Sequence, residues 1–525
     1  VRIRAVIFGL VLSGILLLCG ILLYYGFGRG VVINKYNVID RPAKIYPDYS
    51  NTVIPPNIAP LNFMVQEQGT SYCARIYSEK DGAIEIFNRS PKIIIGTNVW
   101  HKLLNDNKGG RLYFDIFVRK DKAGWVRFGT IINRIASEEL DGFVIYRRMH
   151  PAHIKTRGHL GIYQRNLGNF DEKLVLDNSG CRDLCINCHS FSANRPDNVL
   201  IGIRSDKHGE KTLLIEGDNV TKIGAKFGYT AWHPSGKLAV YSINKLPMFF
   251  HSIGEEVRDT FDIDSALAYF VVDSRTIKTS PEISRKEYAE TWPAWSSDGR
   301  FLYFCSTPIT WSGQETFPPD GYDKVKYDLV RVSYDVEYDK WGRVETILSS
   351  KNTGLSIAMP RISPDGRWLV FCMCDHGYFP PWQKDSDLYI IDLKSVEESG
   401  RCEYRRLDIS SDHSEGWHSW SSNSRWIIFS SKKEQGAFTR CYISYVDETG
   451  KVYKSLILPQ KRPDYYDDCL EIFNNPEFVT GPIAASSTRM ARVMNSDKAV
   501  SVTLPITGAT PKSEAAPKSG QPRRE

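Results

Sequence analysis

The chain has 525 residues, a formal net charge of +6, 42% hydrophobic and 24% charged residues. That length exceeds one ordinary domain, and the apolar fraction supports a sizeable core, which excludes a largely disordered chain. The net charge is small for the length and the basic residues are dispersed, so no nucleic-acid partner is expected.

In chain order, the first feature follows Arg2 and Arg4: "AVIFGLVLSGILLLCGILLYYGF", 23 residues without a charge. This is long enough to cross a bilayer as a helix. A cleaved signal peptide competes, but its apolar core is usually shorter and ends in a small-x-small site, which is missing here. Residues 1–30 are therefore expected to be a single-pass anchor in the inner membrane. Arg2 and Arg4 stay cytoplasmic under the positive-inside rule, which puts the body in the periplasm. Residues 31–60, rich in Pro, Asn and Tyr, read as an extended linker. Residues 61–155 hold short β-branched and aromatic runs ("SYCARIYSE", "AIEIFNRS", "RLYFDIFVRK", "WVRFGTIINRI") broken by turn residues. They read as a small, Ig-like β-sandwich.

Residues 181–191, "CRDLCINCHSF", carry the sharpest signal. A c-type haem needs two thiols to add to its vinyl groups and a histidine beside the second thiol to reach the iron. Cys185, Cys188 and His189 supply all three within five residues. With 11 cysteines and 11 histidines in the chain, a chance match is expected only roughly 0.005 times. One covalent haem c is therefore expected on Cys185 and Cys188, with His189 as an axial iron ligand. Zinc held by Cys181, Cys185, Cys188 and His189 is a rival, although adjacent Cys188 and His189 would strain one tetrahedral site. Structural or redox thiols, including a Cys185–Cys188 disulfide, are another. The sixth iron ligand is not readable. Met149, His150, His153, His159, Met359, His413 and His418 are candidates, as is water, whereas His233 sits in a turn and reads as structural.

From residue 229 a repeat emerges: "YTAWHPSGKLAVYS", "WPAWSSDGRFLYFCS", "MPRISPDGRWLVFCM" and "WHSWSSNSRWIIFSS". An apolar strand, a Ser/Pro/Asp/Gly turn and a second apolar strand recur, with Gly236, Gly299, Gly366 and Ser424 spaced by 63, 67 and 58 residues. That period suits four-stranded propeller blades with long loops. "CHSFSANRPDNVLIGIRS" reads as a degenerate fifth copy. A sixth can be assembled from 160–180 and 440–482. The fold class expected is all-β: an anchor helix, the sandwich, and a propeller of about six blades over 156–485. A disordered tail is expected over 486–525. Trp232, Trp295 and Trp420 read as blade core. In "FCMCDHG", Cys372, Cys374 and His376 share one side of a strand, but Cys305 takes the repeat position of Cys372, so small core residues are favoured over a metal site. Cys73, Cys402, Cys441 and Cys469 are able to form disulfides outside the cytoplasm, with connectivity open.

These repeats resemble the TolB-like β-propeller family over about 230–430. "GIYQRNL", "CINCHSF", "AWHPSGK" and "HSWSSNSRW" further resemble its membrane-anchored bacterial members that carry a Cys-x-x-Cys-His segment. The resemblance implies an exported haem-c protein, with the haem segment just before an inner strand and hence near one mouth of the central channel. No G-x-S-x-G nucleophile elbow, Walker motif or dinucleotide fingerprint is present. The expected function is that of a membrane-anchored monohaem cytochrome that exchanges electrons with a protein docked on the propeller. The alternative is a scaffold that binds protein or glycan, with a structural haem or none. A haem-dependent enzyme ranks third.

Overall fold

Turn residues at regular intervals break the C-terminal two-thirds of the chain into short apolar strands, and these pair in fours. In the computed structural model, the described residues are 33–502 except 81, 122–123, 152–157, 180–183, 206–208, 252–257, 312–317 and 435. The uncharged N-terminal run, His153 and Cys181 lie outside them. Among the described residues, no helix is long and apolar enough to cross a membrane. The chain divides into two units. One runs to Ser137 and includes Pro459–Asp468; the other comprises Glu138–Leu458 and the chain from Cys469.

The larger unit contains six antiparallel sheets of four strands. Five follow chain order outward from an inner strand. Their inner strands are Cys185–Phe191, Gly228–Trp232, Tyr288–Trp295, Ser356–Ile362 and Glu415–Trp420, which define blades 2 to 6. Blade 1 contains Phe143–Met149, Leu160–Asn166 and Glu172–Asp177, and its inner strand is Ile472–Val479 from the far end of the chain. The six inner strands touch in cyclic order, and blade 6 meets blade 1 through Glu415–Trp420 and Ile472–Val479. The ring is therefore closed, and the fold is an all-β propeller. Closure of this kind covers the face of every blade with a neighbour and leaves only short, protected sheet edges.

The turn chemistry matches the sequence. Gly236, Gly299 and Gly366 have φ of 72°, 74° and 79°, and Ser424 adopts the same left-handed conformation at 62°. Asp298 and Asp365 accept hydrogen bonds from the backbone N–H two residues on, at 3.0 and 3.1 Å.

Three boundaries differ from the sequence reading. Residues 31–60 do not form a bare linker. Tyr36–Pro42 and Val53–Ile54 join a seven-stranded sheet, and Tyr49, Ile54, Ile58 and Leu61 are fully buried. The prolines there mark missing N–H donors in a packed segment rather than exposure. The neighbouring region does form two sheets, seven- and three-stranded, with Phe63 stacked on Phe114 at 5.8 Å. It is not Ig-like, because Tyr36–Pro42 pairs in parallel with Gly124–Gly129 and Val53–Ile54 with Ile131–Ile135. The helix Thr97–Asp106 buries Trp100, Leu103 and Leu104 in the same unit. Strand Phe143–Met149, placed by sequence in the sandwich, belongs to blade 1. The tail begins later than expected. Ser486 caps a helix over Ser487–Asn495 by accepting from the Arg489 N–H, and Met490 and Met494, four residues apart, bury one face in the blade 1–2 core.

Candidate functional site

Every inner strand carries a β-bulge. The ladder register jumps at Gly228/Ala231, Thr291/Ala294, Ala358/Arg361 and Gly416/Ser419, and opposite Ile145/Arg147 in blade 1. In those five blades a non-glycine residue holds positive φ: Tyr229, Trp292, Met359, Trp417 and Asn475. Bulges of this kind bend and twist a strand and re-aim its side chains. In blade 2 the jump lies between Ile186 and His189. Aligning the blades puts Cys188 at the place of those five residues. The Cys-x-x-Cys-His segment is thus part of the inner strand itself, whereas the sequence reading put it just before one.

Cys185 opens this strand and lines a cavity of about 290 Å³. The cavity gathers the starts of inner strands, including Gly228, Tyr229, Trp417 and Ile472, at one mouth of the ring. Leu160, Phe379, Trp382 and Trp417 give it apolar and aromatic walls. Five cationic residues also line it (Arg147, Arg204, Lys226, Arg258 and Lys432), and among the described residues no carboxylate does. Glu210 pairs with Lys226 at 3.3 Å, the buried Lys432 ammonium donates to the Pro381 carbonyl at 2.9 Å, and Arg258 lies over the Trp382 ring. A lining of this kind favours an anionic guest. Sequence reasoning missed the five cations. They come from four blades and the connections between them, and no spacing in the chain links them.

His189 is 1% exposed and does not itself line the cavity. It is followed by Phe191, whose ring meets it edge-on at 5.7 Å. Its repeat mate is His418 in blade 6, which is equally buried. His418 bonds through Nε2 to the Val370 carbonyl of the preceding blade at 3.0 Å. The register-equivalent carbonyl for His189 is that of Ile145; it and the Asn475 backbone lie near enough to favour the protonated ring, yet neither ring nitrogen reaches a partner with hydrogen-bond geometry. Burial, reinforced by the Arg147 charge, pushes its pKa down to about 3 against the weak opposing pull of nearby backbone. The ring is therefore neutral, the form that binds a metal.

The remaining candidates are dispersed. Met149 is on the cavity wall, 3.8 Å from the Asn474 amide. The Met359 sulfur accepts from the Trp417 N–H at 3.5 Å, and exposed His159 bonds Tyr163. His413 precedes the blade 6 inner strand and does not line the cavity, and neither does His150. His233 serves its turn, bonding Ser235 and the Gly299 carbonyl. Cys372 faces His418 and the Glu415 carbonyl, whereas Cys374 bonds the His376 carbonyl, so the "FCMCDHG" residues do not converge. Cys305 is buried, and Cys73, Cys402, Cys441 and Cys469 are free thiols. Trp232 and Trp420 join blades rather than only filling them: their indole N–H groups donate to the Ser190 and Arg361 carbonyls of the preceding blade, both at 3.1 Å.

No family model matches the chain, and no curated protein matches it. Solved structures similar to it include an oligogalacturonate lyase from Vibrio parahaemolyticus, 11% identical with a TM-score of 0.35 over 78% of this chain and 100% of that one. A puromycin hydrolase is 12% identical with a TM-score of 0.35, over 62% of this chain and 54% of its own. Hydrazine synthase of Kuenenia stuttgartiensis is 16% identical with a TM-score of 0.29, over 50% and 64%. Likeness at this level carries no argument about activity, and the propeller assignment rests on the closed ring of six sheets.

Proposed function

We propose that the chain is a membrane-anchored, periplasmic, monohaem c-type cytochrome of the TolB-like group, which exchanges electrons with a protein docked at the propeller mouth. The observation that carries this reading is His189. It is a buried, neutral imidazole with two unpartnered nitrogens, placed where its repeat mate makes a hydrogen bond, and four residues after a thiol on a cavity wall. A buried polar group without a partner costs about 1–3 kcal/mol, so a ligand for that ring offsets a real deficit.

The residues fit a haem. Cys185 and Cys188 would hold it through thioethers, and His189 would bind its iron. A haem held this way supplies one-electron redox chemistry. The chain's own side chains do the rest. Arg147, Arg204, Lys226, Arg258 and Lys432 would favour an acidic group at this mouth, and the aromatic walls would favour an apolar one. His189 stands behind the wall and not on it.

The test uses protein made with a cytochrome c maturation system. Haem should stay with the polypeptide through denaturation and acid extraction, and Cys185→Ala with Cys188→Ala should release it. Haem lost on denaturation of the unaltered chain would sink the covalent assignment. Intact partner binding and cellular phenotype in His189→Ala would favour the scaffold reading instead.

A further inference from the structure

The opposite mouth of the ring holds a second cavity, of about 330 Å³, built from the ends of the same inner strands. Trp232, Trp295 and Trp420 supply indole walls, one from each of three blades. Two groups of opposite charge line it, Arg361 from blade 5 and Glu477 from blade 1. They form no ion pair with each other; burial pushes the Glu477 carboxyl up to about 7, and the Arg361 guanidinium and the Phe191 N–H only partly oppose that shift, so Glu477 is an anion above neutral pH. One Glu477 oxygen accepts from the Phe191 N–H at 3.3 Å; the other, Oε1, has no partner. Trp295 breaks the repeat rule as well. Trp232 and Trp420 donate to the preceding blade, but the Trp295 indole N–H, on a side chain 7% exposed, donates to nothing.

The cavity thus has a separated cation and anion and aromatic walls, and two of its lining side chains carry a buried atom without a partner, a donor on Trp295 and an acceptor on Glu477. We propose that this mouth binds a small zwitterion of the amino-acid or short-peptide class. Its carboxylate meets Arg361 and the Trp295 N–H, its ammonium meets Glu477, and its apolar part lies among the indoles. Such a ligand satisfies both unpaired atoms at once, which neither a neutral apolar molecule nor a simple anion does. The cavity volume is of the order used for small-molecule sites. The proposal does not depend on a haem at the other mouth.

The test is calorimetric titration of the full-length chain at pH 8 with the dipeptide Leu-Leu, its N-acetyl form and its C-terminal amide. Leu-Leu should saturate one site, and each blocked form should bind about tenfold more weakly or worse. Arg361→Gln should abolish the preference for the free acid over the amide, and Glu477→Gln the preference for the free amine over the acetylated form. Trp295→Phe keeps the ring and loses the N–H. It should weaken Leu-Leu severalfold without changing thermal unfolding much, which separates loss of ligand from loss of fold. No saturable binding of Leu-Leu, equal binding of the blocked forms, or unchanged affinity in all three variants would overturn the proposal.

Discussion

His189 and His418 occupy one repeat position in two blades, and only His418 makes a hydrogen bond through its ring. The account therefore predicts unequal costs for removing them from haem-free protein. His418→Ala should destabilise by about 1–3 kcal/mol beyond the lost packing, because it strands the buried Val370 carbonyl. His189→Ala should lack that increment. Urea unfolding of both variants checks this, and equal losses would mean that His189 packs the blades as its mate does. A second prediction concerns Asp259, 5% exposed, with His251 Nε2 at 3.1 Å and His376 Nε2 at 3.8 Å. Burial opposes charge on both His376 and Asp259. The attraction between them prevails, with help from Asp375 on the histidine side and from His251 and the Thr260 N–H on the carboxylate side, so His376 is raised and Asp259 lowered. The His376 contribution is complete below the ordinary imidazole value of about 6.5 and is lost as pH rises through its higher folded value. The Asp259 contribution is present above about 3.9 and is lost as pH falls. Stability should therefore drop between pH 6 and 8.5 more steeply in the unaltered protein than in Asp259→Asn, as measured by the urea midpoint. At this scale the Cys-x-x-Cys-His segment was legible, because its spacing is local chemistry. The five cations around Cys185 were not, because only the ring brings them together.

The repeating element is a bulged inner strand followed by a turn in the left-handed conformation. At Gly299 both constraints act: φ is 74°, and a Cβ there would stand 2.3 Å from His233 Nε2. The His233 ring is held by Ser235, so it cannot simply swing away. Gly299→Ala should cost about 2–3 kcal/mol, the left-handed penalty plus the clash, read from chemical denaturation. Met490→Ala, in the helix at the C-terminal end of the described chain, should cost about 2–5 kcal/mol. A negligible effect would mean that the helix does not belong to the blade 1–2 core. The turns were readable from Asp-Gly chemistry alone. The bulges were not, since Trp-Pro, Met-Pro, Trp-His, Asn-Pro and Cys-His look unrelated until the blades are superposed. The segment over 31–60 and the start of the tail were misread for a common reason. Composition describes a stretch of chain by itself, whereas burial of Tyr49 or Met494 depends on a distant partner surface.

At the scale of the molecule, the ring is held shut by Ile472–Val479, the inner strand of a blade whose other strands lie some three hundred residues earlier. The sequence offered that sixth blade only as segments to be joined, because strand pairing at such separation leaves no local trace. The same ring sets two lined mouths apart: one with five cations and Cys185 on its wall, and one with Arg361 and Glu477. The uncharged run after Arg4 leads to a topological prediction. A periplasm-dependent reporter fused after residue 525 should be active, and the protein should sediment with membranes. Recovery of a soluble chain starting near residue 30 would show cleavage. The claim on which the proposed function depends is that one haem is bound through Cys185, Cys188 and His189. The most direct measurement is the optical spectrum of purified, dithionite-reduced protein with metal analysis on the same sample. The account predicts a Soret band, a c-type α-band and one iron per chain. Stoichiometric zinc with no Soret band would contradict it.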